Sequence, residues 1–147
     1  MKRREFLVAG AGCACLLFAP AGRAETAKTG PVKIGALKSF TKEGLDNKFV
    51  THGFFVVRGK DRIYALSAFC THRTDVQLSG KTGVEKIICP RHNAQFALDG
   101  SVTRPPAKRG LDRLAITVDD KGEVTVDTSK KIEAGKHDEA PAFVKIG

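Results

Sequence analysis

Ile63-Tyr64-Ala65-Leu66-Ser67-Ala68-Phe69 runs straight into Cys70-Thr71-His72, and Val84-Glu85-Lys86-Ile87-Ile88 runs straight into Cys89-Pro90-Arg91-His92. Both leading runs are apolar and partly β-branched, the composition of strands packed against a core. Each ends on a short segment offering one thiol and one imidazole, so two loops that met at their tips would present two sulfurs and two nitrogens. That donor set suits zinc or an iron–sulfur cluster. Strands that lead directly into the donors give such a site rigid support.

The pattern C-x-H followed by C-x-x-H, within a strand-rich stretch of roughly residues 31 to 128, resembles the Rieske 2Fe-2S family. The resemblance implies an all-β fold, a Rieske-type antiparallel β-sandwich or barrel with a two-loop cluster-binding subdomain. It also implies one 2Fe-2S cluster, in which Cys70 and Cys89 hold the inner iron and His72 and His92 hold the outer iron. In that family the histidines bind through the δ nitrogen, and replacing two thiolates by imidazoles raises the potential.

The chain departs from the quinol-oxidising members at four positions. Asp75 and Arg91 stand where those proteins carry a second pair of cysteines, which form a disulfide between the loops. Ala94 and Phe96 stand where they carry Ser and Tyr, whose hydroxyls donate to sulfur. Donors to sulfur stabilise the added electron, so their absence predicts a cluster of lower potential. Arg73 and Arg91, beside the expected ligands, act in the opposite direction.

Structural zinc is the chemical rival, since two Cys and two His satisfy it tetrahedrally. The single residue between Cys70 and His72 argues against it, because a Cys and a His on one extended loop address two neighbouring metals more easily than one. Asp99-Gly100, a tight turn, and the stiff segment Arg104-Pro105-Pro106-Ala107 follow in the order of the resembled family, where a proline loop covers the cluster. The remaining histidines, His52 and His137, read as surface or hairpin residues. They form no constellation with a carboxylate, which excludes a self-sufficient ring-hydroxylating oxygenase.

Working outward, Phe49 to Val57 reads as a strand joined by the turn Arg58-Gly59-Lys60-Asp61 to Ile63–Phe69. Gln95 to Leu98 and Ser101 to Thr103 form a second pair, and Arg113 to Asp119 with Glu123 to Asp127 a final hairpin around Asp120-Lys121-Gly122. Residues 129 to 147 are a polar tail whose apolar end, Phe143-Val144-Lys145-Ile146, is expected to dock as an edge strand.

The chain begins with a basic start, an uncharged apolar stretch from Phe6 to Ala21, and small residues before a possible cleavage point after Ala21 or Ala24. Arg3-Arg4-Glu5-Phe6-Leu7 resembles the twin-arginine export signal. Residues 1 to 24 are therefore expected to be a signal peptide or, if retained, a membrane anchor, although the stretch is short against the ~20 residues of a typical span. Residues 25 to 30 read as a linker. An export route that carries folded proteins suits a cluster loaded before export, and the expected compartment is the periplasm.

Length and charge bound the rest. A chain of 147 residues makes one domain. Its net charge is +9, of which the first 24 residues supply +3, and the remainder is too diffuse for nucleic acid. An acidic redox partner or a cytochrome suits it better. Of four cysteines, Cys13 and Cys15 lie in the expected signal, so the mature domain keeps one thiol in each loop and no disulfide framework. The functional expectation is an exported one-electron carrier without catalytic activity of its own. The alternative is the Rieske subunit of a membrane-associated complex, quinol–cytochrome c reductase-like or arsenite oxidase-like.

Overall fold

A computed structural model describes residues 29 to 82 and 85 to 147. The expected signal or anchor at 1–24, most of the linker, and Val84 lie outside the described residues. Ten strands follow in order: β1 Pro31–Ala36, β2 Gly44–Asp46, β3 Phe54–Arg58, β4 Arg62–Ser67, β5 Lys86–Ile88, β6 Gln95–Ala97, β7 Val102–Arg104, β8 Arg113–Val118, β9 Glu123–Ile132 and β10 Val144–Lys145. The only helical elements among the described residues are two three-residue 3-10 turns, Leu37–Ser39 and Val50–His52. The all-β reading holds.

One curled antiparallel sheet runs β1-β9-β8-β4-β3-β2, with β10 added on β4, and a small sheet runs β5-β6-β7. β3 and β4 read as continuous apolar runs because both of their faces are covered. Alternate residues divide between two cores. Phe55, Val57, Tyr64, Leu66 and Ala68 face the small sheet and its loops, where Cys70, Cys89, Ala94 and Phe96 also lie. Phe54, Val56, Ile63 and Ala65 face the inside of the curl with Ile34, Leu114, Ile116, Val124 and Val126. Each fully buried Phe, Leu or Ile contributes about 1.5–3 kcal/mol, and the central hairpin supplies such residues to both cores. It is the beam on which the ligand loops rest.

Three boundaries differ from the sequence reading. The strand expected from Phe49 begins only at Phe54, because residues 50–52 close a 3-10 turn ended by Gly53 at φ +87°, a left-handed conformation natural to glycine. His52 thus sits in that turn, not in a strand, its ring tilted beside the stacked Phe49 and Phe54 rings at centroid distances of 6.3 and 6.4 Å. Arg104, read as non-pairing, closes β7 against Gln95. β9 runs on to Ile132, past the expected domain edge at 128, because a register shift between Leu114 and Ala115 lets Lys131 and Ile132 pair with the start of β8.

The tail docks, but between two strands and not at an outer edge. Val144 and Lys145 pair with Ile63 and Arg62 where β4 has parted from β8, and the Ile116 N–H donates to the Pro141 carbonyl at 2.9 Å. The tail therefore fills the gap between two strands. The guanidinium of Arg113, 6% exposed, lies 3.9 Å from the centroid of the Tyr64 ring and donates to the His137 carbonyl at 3.1 Å.

Burial first, then the nearby Arg113 charge, holds the His137 imidazole below its ordinary range. A folded-state value below the unfolded one, about 6.5, means that the unfolded chain takes up this proton first. The contribution is whole above pH ~6.5 and lost as pH falls from there through the folded value. A fall in Tm between pH 7 and 5 is expected, with a shallower slope in H137Q by differential scanning fluorimetry. Equal slopes in the two proteins would remove His137 as the cause.

Candidate metal centre

Each ligand loop is closed at its base by its cysteine. In the first, the Cys70 N–H donates to the Val76 carbonyl at 2.9 Å and the Val76 N–H to the Arg73 carbonyl at 3.1 Å. In the second, the Cys89 N–H donates to the Ala94 carbonyl at 2.8 Å and the Asn93 N–H back to the Cys89 carbonyl at 3.0 Å, with Asn93 at φ +57°. A left-handed turn of this kind is tolerated by Asn. The two bases are joined by reciprocal hydrogen bonds between Ser79 and Ile88, at 2.8 and 2.9 Å.

This architecture sorts the four expected ligands by depth. Cys70 and Cys89 are 0% and 1% exposed and unpaired by disulfide, while His72 and His92 are exposed at the tips. The imidazole rings meet edge to face with centroids 5.0 Å apart, close enough for one nitrogen of each to reach a metal between them. Burial opposes a thiolate at Cys89, but the backbone N–H groups of His92 and Arg91 and the Cys70 thiol outweigh it and hold this group low. Burial and the neighbouring Cys89 push Cys70 up. Two adjacent sulfurs cannot both ionise without a compensating cation, so the pair loses its protons in two separate steps.

The donor chemistry fits a cluster with a dry, thiolate-ligated inner side and a wet, imidazole-ligated outer side. No three His, Cys, Asp or Glu side chains among the described residues are arranged around a single ion.

The segment after β7 packs over the first loop. Ala107 is 5% exposed within the same core as the two cysteines, and the Thr71 hydroxyl donates to the Arg109 carbonyl at 2.7 Å. Gly110 lets this segment approach so closely that a Cβ there would lie 2.8 Å from the Gly100 carbonyl oxygen. Thr71, the residue between the first Cys and His, carries no signal in the sequence beyond its hydroxyl, because the partner of that hydroxyl is 38 residues away.

Asp75 and Arg91, read in the sequence only as a missing disulfide, form an ion pair across the loops at 3.5 Å, and Asp75 also pairs with Arg73 at 3.3 Å. The Arg73 hydrogen bond is the first cause holding the Asp75 carboxyl below its usual range. Pairs this exposed add little to stability. They set side-chain positions more than loop stability.

Comparison with known proteins bears on the same region. The family model described as the Rieske [2Fe-2S] domain matches residues 30–115. The cytochrome b6-f complex iron-sulfur subunit of Prochlorococcus marinus (strain MIT 9303) is 37% identical over 68 residues, covering 45% of this chain and 38% of that protein. Cytochrome b6-f complex iron-sulfur subunit 2 of Synechocystis sp. is 34% identical over 77 residues, 51% of this chain and 42% of that protein. The chain thus spans less than half the length of these curated relatives. Among solved structures, the plasma membrane Rieske protein PetC3 from Synechocystis PCC 6803 aligns with 65% of this chain and 98% of its own, at 30% identity and a TM-score of 0.49.

Proposed function

Because the chain belongs to the Rieske [2Fe-2S] domain family, we propose that it is an exported one-electron carrier whose cluster is held by Cys70, His72, Cys89 and His92. The family carries one 2Fe-2S cluster per domain. The observation that supports this ligand set best is its sorting by depth, with two buried thiols beneath two exposed imidazoles.

When bound, the cluster accepts and returns one electron. The chain's own residues do the rest. Cys70 and Cys89 anchor from the core, and the backbone N–H groups of His72, Arg73, Arg91 and His92 stabilise negative charge on their sulfurs. Ala107 and its segment exclude water from one flank, and His72 and His92 offer the electron's shortest way out. Loops closed by their own hydrogen bonds keep the site from rearranging with each transfer.

Export by the twin-arginine route rests on the sequence of residues 1 to 24, and a domain start near residue 31 on the strand pattern. A second reading, the iron–sulfur subunit of a membrane-associated complex, draws on the printed names of the cytochrome b6-f relatives. Among the described residues no helix is long and apolar enough to cross a membrane. Retention of residues 1–24 and co-purification with a cytochrome or molybdenum subunit would favour that reading.

The deciding experiment is electron paramagnetic resonance of the dithionite-reduced protein with metal analysis. A spectrum of the mixed Cys/His-ligated type and about two irons per chain are expected. A silent, colourless protein with one zinc would overturn the carrier.

A further inference from the structure

If the chain is a carrier, the reading on which this proposal rests, its histidine tip must meet a redox partner. Three loops surround the tip, at 70–75, 89–93 and 104–112. They carry five exposed cations, Arg73, Arg91, Arg104, Lys108 and Arg109, against two carboxylates, Asp75 and Asp112. Both carboxylates are already engaged, Asp75 between Arg73 and Arg91 and Asp112 with Arg109.

The shared carboxylate is what makes this a surface with a shape. Asp75 ties Arg73, next to His72, and Arg91, next to His92, to one point, yet these arginine side chains remain 52% and 56% exposed. A guanidinium has five N–H donors, so one contact each with Asp75 leaves most of them facing solvent. Two guanidiniums are thus gathered around one carboxylate, on the residue that directly follows the imidazole in one loop and the residue that directly precedes it in the other. Exposed Pro90 and Pro105 lie among the charges, giving a small apolar centre with a cationic rim.

The other end of the molecule differs. β4 runs toward the tip and β8 away from it, so the β3–β4 and β8–β9 turns lie at the far end, about 20 Å off at ~3.3 Å per residue. Those turns and the residues beside them hold Arg58, Lys60, Arg62, Lys121 and Lys145 against Asp61, Asp119, Asp120 and Glu123, five cations to four carboxylates. The positive excess is therefore larger at the end that bears His72 and His92, and the field favours turning that end toward a negative surface.

We propose that this face is the docking surface for an acidic electron-transfer protein, whose carboxylates engage Arg73 and Arg91 while its redox centre approaches His72 and His92. Contact through a charged rim without a large apolar patch suits a transient encounter, fast on and fast off.

The test uses the full cluster-loaded protein, reduced and mixed by stopped flow with hexacyanoferrate(III), an anion, or tris(phenanthroline)cobalt(III), a cation. The anion-to-cation rate ratio cancels any change in the cluster's own potential. In the wild type this ratio is expected to fall roughly 3–10-fold between ~0.01 and ~0.1 M ionic strength, where the screening length drops from ~30 to ~10 Å. R73Q/R91Q should lower the low-salt ratio about threefold or more, and K60Q at the far end should not. Poly-L-glutamate should slow hexacyanoferrate oxidation of the wild type more than of R73Q/R91Q.

A ratio insensitive to salt, or equal in R73Q/R91Q and K60Q, would overturn the surface. A DNA duplex competing more strongly than poly-L-glutamate at equal charge would overturn its assignment to a protein. Iron content and the paramagnetic spectrum of each preparation separate the two levels: no cluster in the wild type sinks the carrier, whereas a loaded cluster with charge-blind kinetics sinks only the docking face.

Discussion

Cys70→Ser and Cys89→Ser are each expected to reduce bound iron to near zero, with loss of the reduced-state paramagnetic signal. Both thiols are buried, on loops whose bases are fixed by the Cys70–Val76 and Cys89–Ala94 hydrogen bonds. A serine hydroxyl there is a hard, weakly acidic donor in a site built for soft thiolates. His72→Asn and His92→Asn alter exposed tips and leave both thiols in place, so partial loading with an altered spectrum is expected from them. The contrast between inner and outer positions is the point of the experiment. Full iron content in either serine variant would mean that the ligand set is assigned wrongly.

The strands that lead into them explain why these four residues are legible in the amino-acid sequence. A ligand at the end of an apolar run inherits the rigidity and burial of its strand, and both facts are written locally in Ile63–Phe69 and in the residues before Cys89. The central hairpin is legible for the same reason, since Phe54 to Val57 is apolar at every position when both faces are covered. The docked tail is legible from its apolar end.

What escapes the sequence depends on distant partners. Phe49 and Val50 have strand-like chemistry, and only the left-handed Gly53 shows that the chain turns there first. Residues 128 to 132 are largely polar, so their place in β9 comes from pairing with Arg113 and Leu114 and not from any apolar pattern. His137 looks like a surface residue among charges, yet its environment is made by Arg113, 24 positions away. The Asp75–Arg91 pair joins loops 16 residues apart. The two charges are visible, but a salt bridge has no sequence period to announce it.

The double variant A94S/F96Y is expected to raise the midpoint potential of the cluster, by about 60–130 mV for each hydroxyl that reaches a sulfur. Both positions lie in the core that holds the Cys70 and Cys89 thiols. Ala94 accepts the Cys89 N–H through its carbonyl, and Phe96, paired with Ile87 in the small sheet, lies in the core that holds both cysteines. Neither side chain has a hydroxyl, and both are 0% exposed. A hydroxyl donating to a sulfur that gains charge on reduction favours the reduced state by about 1.5–3 kcal/mol, the range for hydrogen bonds to charged groups. At ~59 mV per tenfold change for one electron, this becomes the stated shift. Arg73 and Arg91 also favour the added electron, but they stand in solvent, and screening leaves them the smaller influence. A hydroxyl that failed to reach sulfur would instead be buried without a partner, lowering stability by about 1–3 kcal/mol and leaving the potential unchanged. Voltammetry and thermal unfolding of the same variant distinguish these cases. A stable, fully loaded A94S/F96Y with an unshifted midpoint would show that these two positions do not govern the potential, and the low-potential reading would lose its basis.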